Sequence, residues 1–226
     1  MRIAIVGAGG HATVVGDILL RMREAGAQVE PVAFIDETPP GPPRSILSLR
    51  IIDGGLDALR TVGCDAVIVA IRENSARRRV SEQLRQAGLL LAIARHPFSM
   101  VAPDVDLGPG VVICAGAVVN PSTRVGCSAI LNTNASVDHH NVIGDFVHIA
   151  PGAHLGGAVT VGDDSLIGIG ASVLPRLKIG RRTVVGAGAV VTRDVPDDVV
   201  AIGVPARVQG TATTGATAGS LTGQPA

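Results

Sequence analysis

The chain has no tryptophan, no tyrosine and only three phenylalanines in 226 residues. Aromatic rings usually supply the largest buried areas of a core, so this core must be built from Val, Ile, Leu and Ala. The stacking platforms of single-strand nucleic-acid binders are missing with them. Net charge is also missing. Nineteen Lys and Arg balance nineteen Asp and Glu, which leaves no global pull toward nucleic acid. Cysteine is scarce: Cys64, Cys114 and Cys127 are odd in number and show no C-x-x-C spacing. They read as small core residues of a cytosolic protein, not as a disulfide framework or a zinc site. Met1 to Gly7 lacks a signal peptide's long apolar region, and no apolar run is long enough to span a bilayer. The expectation is a cytoplasmic protein with no membrane partner, no nucleic-acid partner and no metal.

Against these absences stand 29 glycines, 14 prolines and a hydrophobic fraction of 46%. That apolar fraction is too high for a disordered chain. Residues 1 to about 96 alternate strand and helix signals. Ile3 to Val6 is a short apolar run that stops at Gly7-Ala8-Gly9-Gly10-His11. Val14, Val15, Ile18, Leu19 and Met22 then recur at helical spacing up to Gly26. Val29 to Ile35 predicts a second strand closed by Asp36-Glu37, and Thr38 to Ser45 a proline-rich loop. Leu56 to Val62 predicts a short helix, and Ala66 to Ile71 a strand buried on both faces. Asn74 to Ala87 predicts a charged amphipathic helix whose Arg77-Arg78-Arg79 run reads as a solvated face. Leu89 to Ala94 predicts a last strand. Such alternation predicts a parallel sheet covered by helices, a Rossmann-like α/β half-domain.

From residue 101 the pattern changes. Every sixth residue from Val101 to Val191 is Val, Ile or Leu, sixteen positions in succession. Eight of the residues that follow them are Gly: 108, 126, 144, 156, 162, 168, 180 and 186. The fifth position of each hexad is mostly small or β-branched. A hexapeptide period is the signature of a β-helix. Three hexads close one triangular coil, with the aliphatic residue pointing inward and the glycine expected to tolerate the turn dihedrals. The reading assigns residues 97–208 to this prism and residues 209–226 to a disordered tail. A prism with few loops works through its faces, so a homotrimer with active sites between neighbouring chains is expected.

Four of the six histidines fall between positions 139 and 154, beside Asn132, Asp138 and Asn141. His139 and His148 are nine residues apart, half a coil, and so belong to different faces of one chain. Three readings compete: interface histidines without chemistry, a metal site shared between chains, and a general base for acyl transfer. The metal site needs three converging imidazoles. A base near neutrality can take the proton that an amine or hydroxyl loses on attacking a thioester.

At the other end, Gly7-Ala8-Gly9-Gly10-His11-Ala12 follows a strand and opens a helix, with Asp36 closing the next strand. This fits the G-x-G-x-x-A fingerprint, in which helix N-terminal amides hold phosphate. A ligand-free turn, a redox dinucleotide site and a mononucleotide or nucleotide-sugar site are all compatible. The module is only half a dinucleotide fold.

These stretches together resemble the bacterial sugar O-acyltransferases related to sialic-acid O-acetyltransferase. That family includes N-acetyltransferases acting on nucleotide-linked 4-amino-sugars. The resemblance runs from residue 2 to about 208 and rests on six segments. They are Ile5 to His11, Phe34 to Glu37, Ala70 to Asn74, His96-Pro97, Asn132 to Gly144, and Ala201 to Ala206. It implies acetyl-CoA as donor, bound between prisms of a trimer, and a nucleotide-sugar acceptor held by the N-terminal domain. It implies His139 as general base, with Asn132 beside the acceptor. His148 and the Gly157 backbone N–H would face the thioester carbonyl, with Ile169 and Ala187 completing the acetyl-CoA set. Gly9, Gly10, His11, Asp36, Glu37 and Arg72 would hold the acceptor.

The family pattern carries an acidic residue directly after the base. Here that position is His140, which joins His139 and Asn132 as a candidate catalytic group. Asp138, in extended geometry, would point to the opposite face. Arg72 stands where the pattern usually has Gly. The function implied is acetylation of the amino group of a nucleotide-linked sugar in surface-glycan synthesis. The alternatives are O-acetylation of sialic acid or a related sugar, and a non-catalytic nucleotide-sugar-binding scaffold.

Overall fold

A computed structural model describes residues 1–37 and 44–212. The first unit is an α/β sandwich. It runs β1 (Arg2–Val6), α1 (Gly10–Glu24), β2 (Glu30–Asp36), β3 (Arg44–Ile46), β4 (Leu49–Asp53), α2 (Gly55–Val62), β5 (Ala66–Val69) and α3 (Asn74–Gln86). The sheet order is β3-β4-β2-β1-β5. All pairs are parallel except the β3–β4 hairpin. β1 from Ile3 onward and all of β5 are apolar and buried on both faces, as strands of a doubly covered sheet must be. Ile3, Ile5 and Ile68 pack against Val15, Ile18 and Leu19 of α1. Ala4, Val6, Val67 and Val69 pack on the other side against Leu59 of α2 and Val80 and Leu84 of α3. Because β1 lies between β2 and β5, the order in which strands are added reverses beside it, and its carboxyl end opens on the crevice where such sheets bind ligands.

The expected strand over Leu89 to Ala94 does not form as such. Val67 and Leu91 make a single bridge, and the next strand, β6 (Ala94–Arg95), pairs with Val112–Ile113. The prism therefore takes up the chain at Ala94, earlier than the expected boundary at 97, because β6 finds its partner eighteen residues on.

Sixteen two-residue strands follow, from β7 (Met100–Val101) to β22 (Val190–Val191). Each pairs in parallel with the strand eighteen residues away, as Val119 does with Val137 and Val137 with Leu155. Three sheets result, and the inward Val, Ile, Leu and Ala side chains form one continuous core. The period of six and the coil of eighteen are those of the left-handed parallel β-helix expected from the sequence. The first face carries Val112–Ile113, Ile130–Leu131, His148–Ile149, Leu166–Ile167 and Val184–Val185. Its outward Val112 and Ile130 continue the core of the α1 side of the sandwich, so this face is where the two units meet.

The glycines need a corrected explanation. The left-handed backbone falls three residues after each aliphatic residue from Leu107 to Val185, at Ser122, Ser128, Asn134, His140, Phe146 and their equivalents, and not at the eight glycines. Those eight sit where neighbouring coils stack most closely. A Cβ on Gly108 would lie 2.7 Å from Cys127 N, and one on Gly168 2.6 Å from Ala187 N. All eight would fall under 3.0 Å from an atom of the next coil. Coil-to-coil contact, not dihedral freedom, excludes a side chain there.

The expected tail starts later than position 209. β23 (Val199–Ile202) pairs antiparallel with β24 (Arg207–Thr211), so Gly210 and Thr211 belong to the sheet. The remainder of the expected tail, 213–226, lies outside the described residues, as does most of the proline-rich loop at 38–43. Among the described residues, no helix is long and apolar enough to cross a membrane.

Candidate active site

The β1–α1 turn opens onto a cavity of about 640 Å³ at the switch point, lined by Gly7, Gly9, Gly10, His11, Asp36, Glu37, Arg72 and Asn132. Gly7 has φ +114°, and a Cβ there would press on the Ala70 carbonyl at 3.2 Å. Gly9 and Gly10 differ. A Cβ on either would meet nothing within 4 Å, so the protein itself does not require glycine at those two positions. The space they leave belongs to the cavity. Gly9 caps α1 with no side-chain hydrogen bond, and no acidic residue occupies the first turn. Amides of an uncapped first turn are able to hold an anion.

His11 stands at the back of this cavity. Burial, reinforced by the Arg77 and Arg72 guanidinium groups, pushes its pKa down to about 4. It is neutral at pH 7, and its buried Nε2 has no partner in the protein. A buried orphan nitrogen is costly, and a ligand oxygen in the cavity would satisfy it. Asp36 is held by Arg44, whose Nη2 donates to Asp36 Oδ2 at 3.2 Å and to Asp53 Oδ1 at 2.8 Å.

A second cavity, of about 590 Å³, runs between α3 and the first prism face. Arg72, Ser75, Arg79, Asn132, His148, Leu166, Ile169 and Val184 line it. Asn132 and Arg72 line both cavities. Asn132 Nδ2 lies 3.1 Å from His148 Nε2. Burial holds His148 well below the ordinary imidazole range, helped by Arg77, His11 and Arg72. His148 is therefore a neutral wall residue.

The basic run on α3 is a solvated face only at Arg79. Arg77 is fully buried. Its guanidinium donates to the carbonyls of Ile71, Arg72, Ser128 and Phe146 and to Asn74 Oδ1, at 2.7–3.1 Å. It thus fastens the loop after β5, which carries Arg72, to the prism. Burial lowers its pKa to about 9, and Glu73 and Asp164 oppose that shift. Arg78 makes a paired bond to Asp164, at 2.8 and 2.7 Å, and lies 4.2 Å over the Phe146 ring. Helical spacing could have found Arg77: with Val80, Ser81 and Leu84 it lies on one stripe of α3, and all four are buried. Arg44 left no such signal.

The remaining candidates form a separate cluster on the next corner of the prism. His139 and His140 are exposed, with Nδ1 atoms 2.9 Å apart and rings edge to face. A Cβ on Gly157, one coil on, would lie 2.5 Å from His139 Cε1, so the His139 ring lies across the bare Gly157 backbone. Asp138 does not meet the ring. Its Oδ1 accepts the His139 backbone N–H at 2.7 Å and Asn120 Nδ2 at 2.9 Å. Within one chain the expected site is therefore divided: His139, His140 and Gly157 on one corner, and Asn132, His148 and Ile169 in the cavities. Ala187 stacks above Gly168. Among the described residues, no cluster of His, Cys, Asp and Glu is suited to a metal ion.

Comparison with known proteins fits this geometry. Residues 2–84 match the PglD N-terminal domain, and residues 158–193 match the bacterial transferase hexapeptide (six repeats). A crystal structure of a histidine-to-asparagine variant of perosamine N-acetyltransferase from Caulobacter crescentus, holding CoA and GDP-perosamine, is 39% identical with a TM-score of 0.85. That match covers 93% of this chain and 97% of the other. The acetyltransferase domain of PglB from Neisseria gonorrhoeae FA1090, with acetyl coenzyme A, is 33% identical with a TM-score of 0.83, over 92% of this chain and 98% of that one. GDP-perosamine N-acetyltransferase of Escherichia coli O157:H7 is 36% identical over 93 residues, 41% of this chain. The chain spans less than half the length of the curated relatives it matches, 42% and 20%. On the full-length structural matches, the chain belongs to the family of hexapeptide-repeat sugar acetyltransferases that carry a PglD N-terminal domain.

Proposed function

We propose that the protein transfers the acetyl group of acetyl-CoA to the amino group of a nucleotide-linked amino-sugar, in surface-glycan synthesis. The observation that carries this reading is the meeting of the two cavities at Asn132 and Arg72. The acceptor's nucleotide lies over the α1 N-terminus, with its phosphates on the open amides of Gly9 and Gly10 and beside Arg72. Its ribose or base reaches Asp36 and Glu37, and His11 Nε2 receives a sugar or phosphate oxygen. The donor lies along the prism face against His148 and Ile169, with Ala187 beyond. Acceptor amine and donor thioester then meet beside Asn132.

His139 lines neither cavity, so a neighbouring copy supplies it. Large apolar side chains exposed on the prism, Phe98 at 77% and Met100 at 71%, favour a contact between copies, and we propose a homotrimer. In that assembly the Gly157 N–H points at the carbonyl oxygen as its charge develops. Positioning both reactants accounts for much of the rate, and His139 removes the proton. The test is thiol release from acetyl-CoA with GDP-perosamine and a panel of nucleotide amino-sugars. The expected result is release with at least one of them, together with a higher melting temperature in CoA. No release with any of them, or no shift with CoA, overturns the reading. Light scattering that gives a monomer mass overturns the trimer.

A further inference from the structure

We infer that His140 is the hydrogen-bond acceptor that orients His139, so that a neutral histidine pair sets the reactive nitrogen of the base. This rests on the reading of His139 as the base.

The two Nδ1 atoms are 2.9 Å apart, with ring centroids at 5.1 Å and planes at 87°. At that separation one ring donates and the other accepts. Whichever nitrogen of His139 holds the hydrogen, the other is its lone pair. A base that works at its outer edge must carry hydrogen on Nδ1 and leave Nε2 free. His139 is then the donor and His140 the acceptor. Among the described residues, neither Nε2 has a protein partner, and that of His139 lies at the open edge over Gly157.

The carboxylate nearest in sequence is already committed. Asp138 accepts the His139 backbone N–H and an Asn120 amide hydrogen, so among the described residues His140 is the only side chain bonded to the His139 ring. The backbone holds the pair rigidly. His140 N–H donates to the Pro121 carbonyl at 3.0 Å, and the His139 carbonyl accepts from Ala158 at 2.8 Å. His140 has φ +58°, the left-handed region that His and Asn enter more readily than most residues. That turn is what brings two adjacent side chains to the same side.

In the reaction, the acceptor nitrogen bonds to the acetyl carbon and its proton passes to His139 Nε2. The imidazolium that results is held through Nδ1–H on His140 Nδ1. As the carbon–sulfur bond breaks, that proton goes to the CoA thiolate, giving amide and free thiol with no further reactant. His140 is thus a positioning residue.

The test uses the full chain labelled with ¹⁵N and reads the His139 tautomer by two-bond proton–nitrogen correlation at neutral pH. Wild type is expected to show Nδ1–H. The variant His140→Gly keeps the left-handed turn, so its melting temperature should hold. Its His139 should revert to the Nε2–H form that free imidazole favours. Its kcat for thiol release should fall roughly tenfold or more, with both KM values unchanged. His140→Asn supplies a carbonyl acceptor in a turn Asn tolerates, and should recover kcat toward wild type. An Nε2–H His139 in wild type, or a His140→Gly variant with unchanged tautomer and kcat, overturns the inference. If wild type releases no thiol, the acetyl-transfer reading fails, while the tautomer still decides the pair.

Discussion

The seam between the two units and the exposed corner of the prism use the same side chain in opposite settings. At the seam, His11 and His148 are buried beside Arg77 and kept neutral. At the corner, His139 and His140 are exposed, and among the described residues their rings bond only to each other. Burial beside a cation removes a histidine from proton chemistry and leaves it as a hydrogen-bonding wall. Exposure leaves it open to a reacting group, as a general base must be. The seam should therefore govern stability and binding, and the corner should govern turnover.

The largest expected effect tests the seam. Replacing Arg77 with Met leaves four carbonyls and Asn74 Oδ1 without their donor. At about 1–3 kcal/mol for each buried group left unpaired and not rescued by water, a loss on the order of 3 kcal/mol or more is expected. The melting temperature should drop by roughly 10 °C, seen by calorimetry or circular dichroism. An unchanged melt would mean that the seam is held by apolar packing alone.

The corner should respond in the opposite way. His139→Ala should lower kcat for thiol release by about 10²-fold or more, with no change in melting temperature. Full activity in that variant would remove the corner from the chemistry.

Acid should weaken the seam. The unfolded chain protonates its histidines near 6.5, whereas folded His11 does so at about 4. Below 6.5 the unfolded state binds more protons, so stability falls as pH drops from 6.5 toward 4 and is fully present above 6.5. His11 alone should cost about 2 kcal/mol by pH 5. Chemical denaturation in a pH series should show that slope, and His11→Asn should flatten it.

The smallest expected contrast is between glycines. Gly168→Ala forces a methyl group against the Ala187 backbone and should cost about 1–3 kcal/mol. Gly10→Ala meets nothing in the protein. It should leave the melting temperature equal or slightly higher, since Ala favours a helix, and raise KM for the nucleotide sugar. Equal melting losses in both would show that the cavity glycines are structural too.

Much of this was legible in the residues. The period of six from Val101 to Val191 sets the prism, its core and its eighteen-residue stacking, because each hexad's local pattern already states which side chain points inward. The Gly-rich turn and Asp36 marked the cavity at the β1–α1 turn, and the histidine cluster marked the corner. The role of the hexad glycines was misread, because the crowding that excludes a side chain comes from the next coil and not from local dihedrals. Arg77 was misread as solvated because its acceptors, Ser128 and Phe146, lie 51 and 69 residues away.

By itself, then, the sequence determined the two architectures, the order of their elements and the residue types that could do chemistry, since these follow from periodicity and turn composition. Only the tertiary structure decided which of those residues meet. It buried Arg77 between the units, joined the two cavities at Asn132, held His11 and His148 neutral, and set His139 against His140 with a left-handed turn. Each of these depends on desolvation and on distances between parts of the chain that no local pattern encodes.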